Sequence, residues 1–394
     1  MSSGVVRIGI VGVGGMGSMH ADYLSKGSVP NGQLVALCDS NPERLNVLRT
    51  KYGDGIKYFD NADALLAAKV VDAIMIATPH YDHPVIALKG FAAGVHVLSE
   101  KPAGVYTKQV REMNAAAAKS GKVFAIMFNM RTIPAHQKVK DLIESGEIGE
   151  IRRSSFTITN WLRSQAYYDS GGWRGTWAGE GGGVLMNQAP HNLDLYQWFC
   201  GMPSSVRAYC SNGKYHHIEV EDDVQALLKY PNGATGVLTT TTGEAPGSCV
   251  LEIAGDRGRI VLDDYERITF YRNRISTPEL IATTPKSFPH AEAWKCQVPD
   301  GTIPDQHRTI TENWVGAIRG TTKLLAPGEE GIRGLTICNA IYMSSWLDKT
   351  IDLPLDEDHY YELLKEKIAK STFKKTVKEK KAVDFAGSFG GNKA

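Results

Sequence analysis

A glycine motif that directly follows an apolar segment constrains the fold of this chain most. Residues 5–13 (VVRIGIVGV) are mostly apolar and β-branched, which predicts a buried strand, and GVGGMG at 12–17 leads from it into a helical segment. In a G-x-G-x-x-G motif the glycines permit a tight turn, a close approach of backbone to a pyrophosphate, and packing of the helix on the sheet. The helix N-terminus then attracts the phosphates. We therefore expect five residues of this turn to bind a dinucleotide: Gly12, Gly14, Gly15, Met16 and Gly17.

Strand-like and helical segments alternate along the first 130 residues. This alternation predicts a doubly wound parallel sheet with helices on both faces. We therefore predict an α/β, Rossmann-type dinucleotide-binding domain over residues 1–130. Further strands are expected at 33–39, 56–59, 71–78, 95–99 and 122–128, and helices at 61–69, 84–93 and 107–119.

An acidic residue ends the second predicted strand. Asp39 follows Gly17 by 22 residues, where a carboxylate accepts hydrogen bonds from the adenosine ribose and repels a 2′-phosphate. The spacing therefore favours NAD over NADP. Arg44 lies one turn into the next helix and would suit a phosphate, but an exposed helix cation is the simpler interpretation.

The pattern changes near residue 130, where strand-like segments begin to dominate. Asn232-Gly233 between two such segments predicts a tight hairpin turn. We predict a second α/β domain over 131–355 with a large, open, mainly antiparallel sheet, and a basic, helical tail over 356–394. Strands are expected at 150–161, 205–211, 224–231, 234–242, 249–255, 259–264 and 267–272, and helices at 136–144, 309–319 and 331–348.

Charge and composition exclude several classes of function. The chain of 394 residues has 44 Lys and Arg against 43 Asp and Glu, so no global field attracts nucleic acid or an anionic membrane. It lacks an apolar run long enough for a membrane span and a signal-like N-terminus. The six cysteines form no C-x-x-C pair, which is typical of reduced thiols. We expect a cytoplasmic protein with no nucleic-acid or membrane partner.

No metal site is predicted. The histidine pairs His80/His83 and His216/His217 are more simply explained by capping and cofactor contacts than by metal ligation. The acidic run 219–223 lacks the spaced ligands and the glycine of a calcium loop, so we expect a solvated entry to a strand.

A lysine follows the fifth predicted strand. Ser99-Glu100-Lys101-Pro102 places Lys101 at the carboxyl edge of the sheet, where open parallel sheets bind ligands. A lysine there can donate to a hydroxyl or carbonyl oxygen and stabilise developing negative charge. The residues alone leave a surface lysine paired with Glu100 equally open.

A second glycine cluster precedes a histidine. Seven glycines fall in 171–183, and we expect their missing side chains to leave room for a nicotinamide and a sugar. Asn187 and His191 share one face of the helix predicted next, which Pro190 should kink. A histidine titrates near pH ~6.5 and suits proton abstraction from an alcohol, although a hydrogen-bonded core histidine is the alternative.

Aromatic and arginine side chains are dense just before this cluster. Flat aromatic faces and forked donors suit a carbohydrate, whereas a core or oligomer-interface patch is the alternative. The residues are Trp161, Arg163, Tyr167, Tyr168, Trp173, Arg174 and Trp177.

Taken together, these motifs resemble the Gfo/Idh/MocA oxidoreductase family. The resemblance rests on RIGIVGVGGMG, on Ala77-Thr78-Pro79 with His83, on AAGVHVLSEKPAG and on GEGGGVLMNQAPHNLDL, and it spans roughly residues 5–350. It implies NAD(P)-dependent redox chemistry on sugars or polyols and a homo-oligomer, a dimer or tetramer formed through the C-terminal sheet. It also implies catalytic roles for Lys101 and His191.

The resemblance extends the set of expected site residues. The further cofactor contacts expected are Asp39, Thr78, Pro79, His83, Glu100 and Lys101. The substrate contacts expected are Lys101, Asn129, Arg131, Trp161, Arg163, Tyr167, Trp173, Arg174, Asn187 and His191.

One position departs from the family pattern. Where the family often has an aspartate four residues before the histidine, this chain has Asn187, which cannot take a proton. The NQAPHNLDL variant is most similar to the branch that oxidises the ring C3 hydroxyl of sugars and glycosides. We expect an NAD-dependent dehydrogenase of a carbohydrate. An enzyme that recycles bound NAD during glycoside cleavage or sugar exchange, and a non-catalytic NAD or sugar sensor, are the alternatives.

Overall fold

The computed structural model describes residues 4–299 and 301–372, and its first half is built on a six-stranded parallel sheet. The strands are β1 (Val6–Val11), β2 (Gly32–Cys38), β3 (Lys57–Phe59), β4 (Ala73–Ile76), β5 (His96–Ser99) and β6 (Phe124–Ile126). Their order, β3-β2-β1-β4-β5-β6, reverses direction between β1 and β4. Ligands of doubly wound sheets bind at this switch point, outside the carboxyl ends of the strands.

Five helices cover this sheet, as the alternation predicts. They are α1 (Gly15–Ser25), α2 (Pro42–Tyr52), α3 (Ala62–Ala67), α4 (Asp82–Ala92) and α5 (Thr107–Ser120). At the start of α2, the Asn41 side chain accepts from the backbone N–H groups of Glu43 and Arg44, and Pro42 occupies the first helical position. A 3₁₀ turn, Asn129–Thr132, leads into the second half of the chain.

The second half carries a nine-stranded sheet. Its strands are β7 (Ile151–Ile158), β8 (Ser205–Asn212), β9 (Glu221–Lys229), β10 (Thr235–Thr241), β11 (Cys249–Gly255), β12 (Gly258–Asp263), β13 (Arg267–Asn273), β14 (Ala293–Val298) and β15 (Ile351–Asp352). The order is β14-β13-β12-β11-β7-β10-β9-β8-β15. In the described ranges β7 pairs in parallel with β10, and the other neighbours pair antiparallel. The predicted fold class is therefore confirmed.

Helices bury one face of this sheet. α6 (Pro134–Glu144), α9 (Pro190–Cys200) and α12 (Gly331–Leu347) pack against it, and α12 also reaches α5 of the first half. The Asn339 side chain joins the halves, because its Oδ1 accepts from the Thr107 N–H at 3.1 Å and its Nδ2 donates to the Val105 carbonyl at 3.1 Å. The remaining helices are α7 (Gln165–Asp169), α8 (Val184–Asn187), α10 (Thr277–Thr283), α11 (Gln306–Ile318) and α13 (Glu357–Ala369).

Several predicted boundaries differ from the observed ones. The helix expected through Asn187 and His191 is two helices, α8 and α9, because Pro190 takes the first position of α9 instead of kinking a continuous helix. Strand β14 was not predicted, because its side chains are almost all exposed and so lack an apolar alternation. Of the predicted basic tail, α13 is described, and residues 373–394 lie outside the described residues.

The acidic run 219–223 is not the solvated strand entry expected. Glu221 and Asp222 are fully buried. Asp222 accepts from the backbone N–H groups of Lys214, Tyr215 and His216 at 2.8–3.0 Å. The prediction is wrong because charge in a sequence predicts exposure only where no backbone donors converge on the carboxylate.

None of the helices in the described ranges combines the length and apolar character needed to cross a membrane. All six cysteines are unpaired thiols.

Candidate active site

The glycine motif forms a tight turn at the switch point of the sheet. Gly12 has φ +88°, and a Cβ there would lie 2.7 Å from the backbone of Ala77. A Cβ on Gly17 would lie 1.9 Å from the Gly12 carbonyl oxygen, whereas one on Gly14 would meet no protein atom closer than the Arg44 guanidinium at 4.0 Å. The outer glycines therefore serve the turn and the helix packing, and Gly14 faces the open space that a pyrophosphate needs. Gly15 and Met16 begin α1 beside it.

Asp39 lies beside this turn, as expected. Its Oδ2 accepts from the Val13 N–H at 2.9 Å and its Oδ1 accepts from the Asn41 N–H at 2.9 Å. Oδ1 keeps a lone pair for a ribose hydroxyl, whereas Oδ2 has a second donor in Arg44 Nη1. Arg44 is half exposed, with Nη1 3.5 Å from Asp39 Oδ2, so it lies against the carboxylate instead of pointing only to solvent.

A buried histidine joins the loops after β4 and β5. His83 Nε2 lies 2.8 Å from the Thr78 carbonyl oxygen, and Nδ1 lies 2.7 Å from the Pro102 carbonyl oxygen. Burial lowers the pKa of His83. Both ring nitrogens face backbone carbonyls, so His83 holds together the two loops that carry Thr78, Pro79 and Lys101.

Lys101 is largely buried and not a surface lysine. Its Nζ donates to the Asn187 carbonyl oxygen at 2.7 Å, which links β5 to α8 of the second half. Burial, together with the positive charges of Arg174 and Arg163, lowers the pKa of Lys101 to about 8, against the opposing pull of Glu100 and Glu180. An amine of this kind changes protonation close to neutral pH.

The neighbouring Glu100 turns away from the lysine side chain and toward α1. His20 Nε2 lies 2.8 Å from its Oε1, and the Lys101 backbone N–H donates to Oε2 at 3.2 Å. Burial alone would raise the pKa of Glu100, but hydrogen bonding to His20 and the charges nearby hold it at about 2. Glu100 is therefore a permanent carboxylate behind Lys101.

His191 lies in the first turn of α9, directly after Pro190. It is buried, and burial followed by the charges of Lys101 and His307 holds its pKa well below the ordinary value. Its Nδ1 has no hydrogen-bond partner among the described residues. His191 is therefore a neutral imidazole close enough to Lys101 to feel its charge.

Asn187, at the end of α8, connects the lysine to a polar network. Its Nδ2 donates to the Tyr167 hydroxyl at 3.2 Å and to the Glu180 carboxylate. The Tyr167 hydroxyl also receives Arg174 Nη1 at 2.7 Å and Gln188 Nε2 at 3.1 Å. Both amide protons of Asn187 are thus engaged, which leaves Oδ1 as its acceptor.

Part of the predicted aromatic cluster forms an alternating stack of rings and guanidinium groups. The Arg163 guanidinium lies 5.3 Å from the Trp161 ring and 5.2 Å from the Tyr167 ring, and Arg174 lies 4.5 Å from both Tyr167 and Trp173. The Trp173 ring lies 5.5 Å from that of His80, beside the β4 loop. This stack therefore borders the site.

Two other aromatic residues of the cluster belong to the core. Tyr168 donates to or accepts from Thr242 at 3.0 Å, and Trp177 packs edge-on against Tyr342 and Trp346. The core interpretation thus applies to Tyr168 and Trp177, and carbohydrate binding by the stack stays a prediction.

Arg131 and Asn129 lie in buried polar contacts within the protein. The Arg131 guanidinium donates to both carboxylate oxygens of Asp194 at 2.6 and 2.8 Å and to Glu330 at 2.6 Å, and its side chain is 2% exposed. Asn129 Nδ2 donates to Gln306 Oε1 at 2.9 Å. The structure thus places these two in a bracing network between the 3₁₀ turn, α9 and α11, and neither belongs to the ring stack.

The second glycine cluster serves packing and does not leave the space expected for ligands. A Cβ on Gly181 would lie 2.3 Å from the Val105 side chain, one on Gly182 would lie 2.1 Å from Tyr342 Oη, and one on Gly183 would lie 1.9 Å from the Glu221 carbonyl oxygen. These glycines let the loop press against the protein itself, and so fix where α8 begins.

Two buried carboxylates of the site escaped the sequence analysis. Glu180 contacts Asn187, and Glu221 accepts from the N–H groups of Gly183 and Leu185 and from the Tyr342 hydroxyl at 2.7–3.0 Å. Burial raises the pKa of Glu221 to about 7. The sequence could have marked Glu180 as a site residue, because it is a lone charged residue between glycines and such a residue needs a specific partner. Within the described ranges, no group of three side chains is arranged to hold a metal ion.

Two family models cover most of this chain. A model described as an oxidoreductase family with an NAD-binding Rossmann fold matches residues 6–128, and a GFO/IDH/MocA C-terminal domain matches residues 136–261. The D-glucoside 3-dehydrogenase of Escherichia coli (strain K12) is 31% identical over 267 residues, which cover 62% of this chain and 72% of that protein. The inositol 2-dehydrogenase of Rhizobium meliloti (strain 1021) is 23% identical over 354 residues, 86% of this chain and 96% of that protein.

A solved structure extends the similarity across nearly the whole chain. The WlbA dehydrogenase from Bordetella pertussis, crystallised in complex with NADH and UDP-GlcNAcA, superposes with a TM-score of 0.74 at 30% identity, covering 89% of this chain and all of that one. Levoglucosan dehydrogenase in complex with NADH and levoglucosan has the same fold, with a TM-score of 0.73 at 21% identity.

Proposed function

Since this chain belongs to the Gfo/Idh/MocA family of oxidoreductases with an NAD-binding Rossmann domain, we propose that it oxidises a secondary hydroxyl of a sugar or glycoside to a ketone. The observation that carries this proposal is the presence of a partly buried lysine, bonded to Asn187, and a buried histidine at the carboxyl edge of the parallel sheet. A purely binding protein needs neither group there.

The residues around the first glycine turn fit NAD. The space at Gly14 and the remaining lone pair on Asp39 Oδ1 suit a pyrophosphate and a ribose without a 2′-phosphate. When bound, NAD supplies the acceptor for the hydride that leaves the carbinol carbon. The loops carrying Thr78, Pro79 and Lys101, joined by His83, would form the wall beside it.

Lys101 and His191 divide the remaining chemistry. The ammonium group of Lys101 donates to the reacting hydroxyl oxygen and stabilises the negative charge that develops as the O–H bond breaks. His191, held neutral by burial, takes the proton. Asn187 accepts a hydrogen bond from a second hydroxyl through Oδ1 and keeps the Lys101 amine in place through its carbonyl oxygen.

The ring stack supports a carbohydrate as the substrate. Trp173 and Tyr167 are partly exposed, and rings of this kind pack against the C–H face of a sugar while arginine donors reach its hydroxyls. We place the oxidation at ring C3, which is supported by the similarity to the D-glucoside 3-dehydrogenase.

The test is an NAD-reduction screen over glycosides, free sugars, anhydrosugars and inositols. We expect NADH to form with at least one glycoside or sugar, and Lys101→Ala and His191→Ala each to lose most of kcat while NAD still binds. Lys89→Ala, which removes an exposed lysine of α4 paired with Asp63, is the matched control. Activity confined to inositols would overturn the C3 assignment, and near-normal turnover in a site variant would overturn that residue's role. Turnover without stoichiometric NADH release would favour bound, recycled NAD.

We also propose that the outer face of the nine-stranded sheet joins copies of this chain. Leu227 on β9 lies opposite Val237 on β10, and Tyr209 on β8 extends the same exposed face. Exposed apolar side chains on adjacent strands are typical of interfaces. Light scattering of the wild type should give a dimer or tetramer, and Leu227→Lys should dissociate it. A monomeric wild type would contradict this arrangement.

A further inference from the structure

A buried carboxylate faces the asparagine that stands where the family often has an aspartate. Glu180 is 1% exposed. Its Oε1 accepts from Asn187 Nδ2, and its Oε2 accepts from the Gly175 N–H at 2.5 Å. A carboxylate can only accept, so it fixes the side-chain amide of Asn187 with the NH₂ group toward Glu180 and Oδ1 away from it.

The loop around Glu180 holds this side chain inward. The N–H groups of Glu180 and Gly181 both donate to the Thr176 carbonyl oxygen, at 2.9 and 3.1 Å, which closes a tight turn. Gly179 lies so close to Trp173 that a Cβ would be 2.6 Å from its backbone. The Glu180 carbonyl oxygen lies 3.0 Å from His80 Nδ1. The turn is thus fixed on both sides, and the carboxylate has a defined position.

The charges near this carboxylate are mostly positive. Arg174 Nη1 lies 3.9 Å from Glu180 Oε1. The titratable and charged groups that interact with Lys101 include Glu100, Arg174, Glu180, Arg163, His80, His191 and His307. Glu100 lies against His20 and the Lys101 backbone N–H, whereas Glu180 contacts Asn187, whose carbonyl oxygen accepts from the Lys101 amine.

We propose that Glu180 is a positioning residue for the proposed oxidation: it orients Asn187 toward the substrate and adds, besides Glu100, a second carboxylate next to the Asn187–Lys101 pair. This inference rests on the proposed function. The family often has an acidic residue at position 187. In this chain the proposal places the negative charge on Glu180, which contacts Asn187 and so lies further from the reacting hydroxyl. The acceptor at 187 then carries no charge of its own and cannot compete with His191 for the proton.

The direction of the electrostatic effect agrees with this geometry. The charge of Glu180 raises the pKa of Lys101, against the lowering by burial, Arg174 and Arg163. Glu180→Gln should therefore lower the pKa of Lys101, by about one unit for an opposite charge lost at short range. The neutral side chain also replaces one carboxylate oxygen by an NH₂ group, which cannot accept from Asn187 Nδ2 or the Gly175 N–H, so the hold on Asn187 weakens.

The test compares three variants in the full chain. Glu180→Gln should lower kcat/KM by roughly 10²-fold, because Asn187 and Lys101 are no longer held in place. Its loss of activity at alkaline pH should also begin at a lower pH than in the wild type. Glu180→Gln combined with Asn187→Asp restores a carboxylate to the pair and should regain at least part of the activity. Glu147→Gln, which removes a carboxylate 2.9 Å from Arg272 Nε just before β7, is the control and should change neither kcat/KM nor the pH profile.

A second readout does not depend on turnover. The protonation of Lys101 can be followed as the pH dependence of its reductive methylation, measured on the Lys101 peptide by mass spectrometry. The proteins compared are the wild type, Glu180→Gln and the control variant. We expect the titration midpoint to fall in Glu180→Gln alone. A merely structural brace would lower the melting temperature yet leave the midpoint and the pH profile of the remaining activity unchanged, and that result would overturn the inference. If no sugar is oxidised but the midpoint still falls, the proposed function fails while the electrostatic role of Glu180 stands.

Discussion

Replacing Arg131 by methionine tests whether this residue braces the fold or binds the substrate. The side chain makes four hydrogen bonds at 2.6–3.2 Å, two to Asp194, one to Glu330 and one to the Leu325 carbonyl oxygen. Methionine has a similar length and no charge. It would leave the Asp194 carboxylate, 1% exposed, without a counter-ion and with only its hydrogen bond from Gln197 at 2.9 Å.

The size of the effect follows from what Asp194 must then do. A carboxyl with an ordinary pKa near ~3.9 has to bind a proton to stay buried at pH 7, and a shift of about three units at ~1.4 kcal/mol each costs about 4 kcal/mol. That value lies within the ~3–5 kcal/mol measured when one partner of a buried ion pair is removed. For a domain of this size it corresponds to a fall in Tm of roughly 8–16 °C.

The destabilisation should depend on pH in a defined direction. Burial already raises the pKa of Asp194 in the wild type against the pull of Arg131, and loss of Arg131 raises it further in the folded variant. The folded variant therefore binds a proton at pH values where the folded wild type does not. Stability relative to the wild type is then regained as the pH falls, and the cost should shrink to roughly 1–2 kcal/mol at pH 5.

The measurement is thermal unfolding of matched variants at pH 7 and pH 5. Arg333→Met is the control, because Arg333 is half exposed and lies 3.5 Å from the same Glu330, so its loss should stay within about 0.5 kcal/mol. Arg131→Met with Asp194→Asn removes both charges and should recover most of the stability. An unchanged Tm with a raised KM for the sugar would refute this reasoning and return Arg131 to the substrate contacts.

Three further predictions concern the cofactor turn, the lysine and the loop before α8. Lys101 needs its proton to stabilise the alkoxide and its pKa is lowered to about 8, so kcat/KM should fall above about pH 8; a profile that stays flat to pH 10 contradicts that role. Gly182→Ala introduces a Cβ 2.1 Å from Tyr342 Oη at φ +155° and should lower the free energy of unfolding by roughly 2–4 kcal/mol. Gly233→Ala, where the added atom meets open space, is the control and should lower it by about 1 kcal/mol. Equal losses of stability in the two variants would show that crowding is not the cause. Asp39→Ala should raise the Kd for NAD by at least tenfold and narrow the preference over NADP, as measured by calorimetry; unchanged affinities for both would remove Asp39 from the cofactor site.

The fold and the cofactor turn were largely predictable because their signals are local. The run 5–13 and the glycines after it specify a buried strand and a tight turn through neighbouring residues, and the position of Asp39 follows from one strand–helix repeat. Lys101 was placed at the correct edge for the same reason, because the carboxyl ends of parallel strands share one edge. Its interpretation as a surface lysine could be rejected only once Asn187 was known to accept from its amine.

The rest of the site depended on contacts between distant parts of the chain. Arg131 and Asp194 are 63 residues apart, and nothing in either local sequence shows that one neutralises the other. The glycines at 181–183 looked like space for a ligand, yet Tyr342 and Glu221 press into that space from other elements. Burial is a property of the assembled core, so a sequence pattern cannot separate a carboxylate that binds a ligand from one that braces the fold.

The sequence by itself determined the sheet of the first half, the phosphate turn and the residue types available for redox chemistry, because periodicity and spacing act over a few residues. The tertiary structure alone decided the electrostatic state of those residues. It buries His191 so that the imidazole stays neutral, lowers the pKa of Lys101 to about 8, and brings the Glu180 carboxylate to Asn187. These properties depend on which charges and how much solvent surround each group, and segments far apart in the chain supply both.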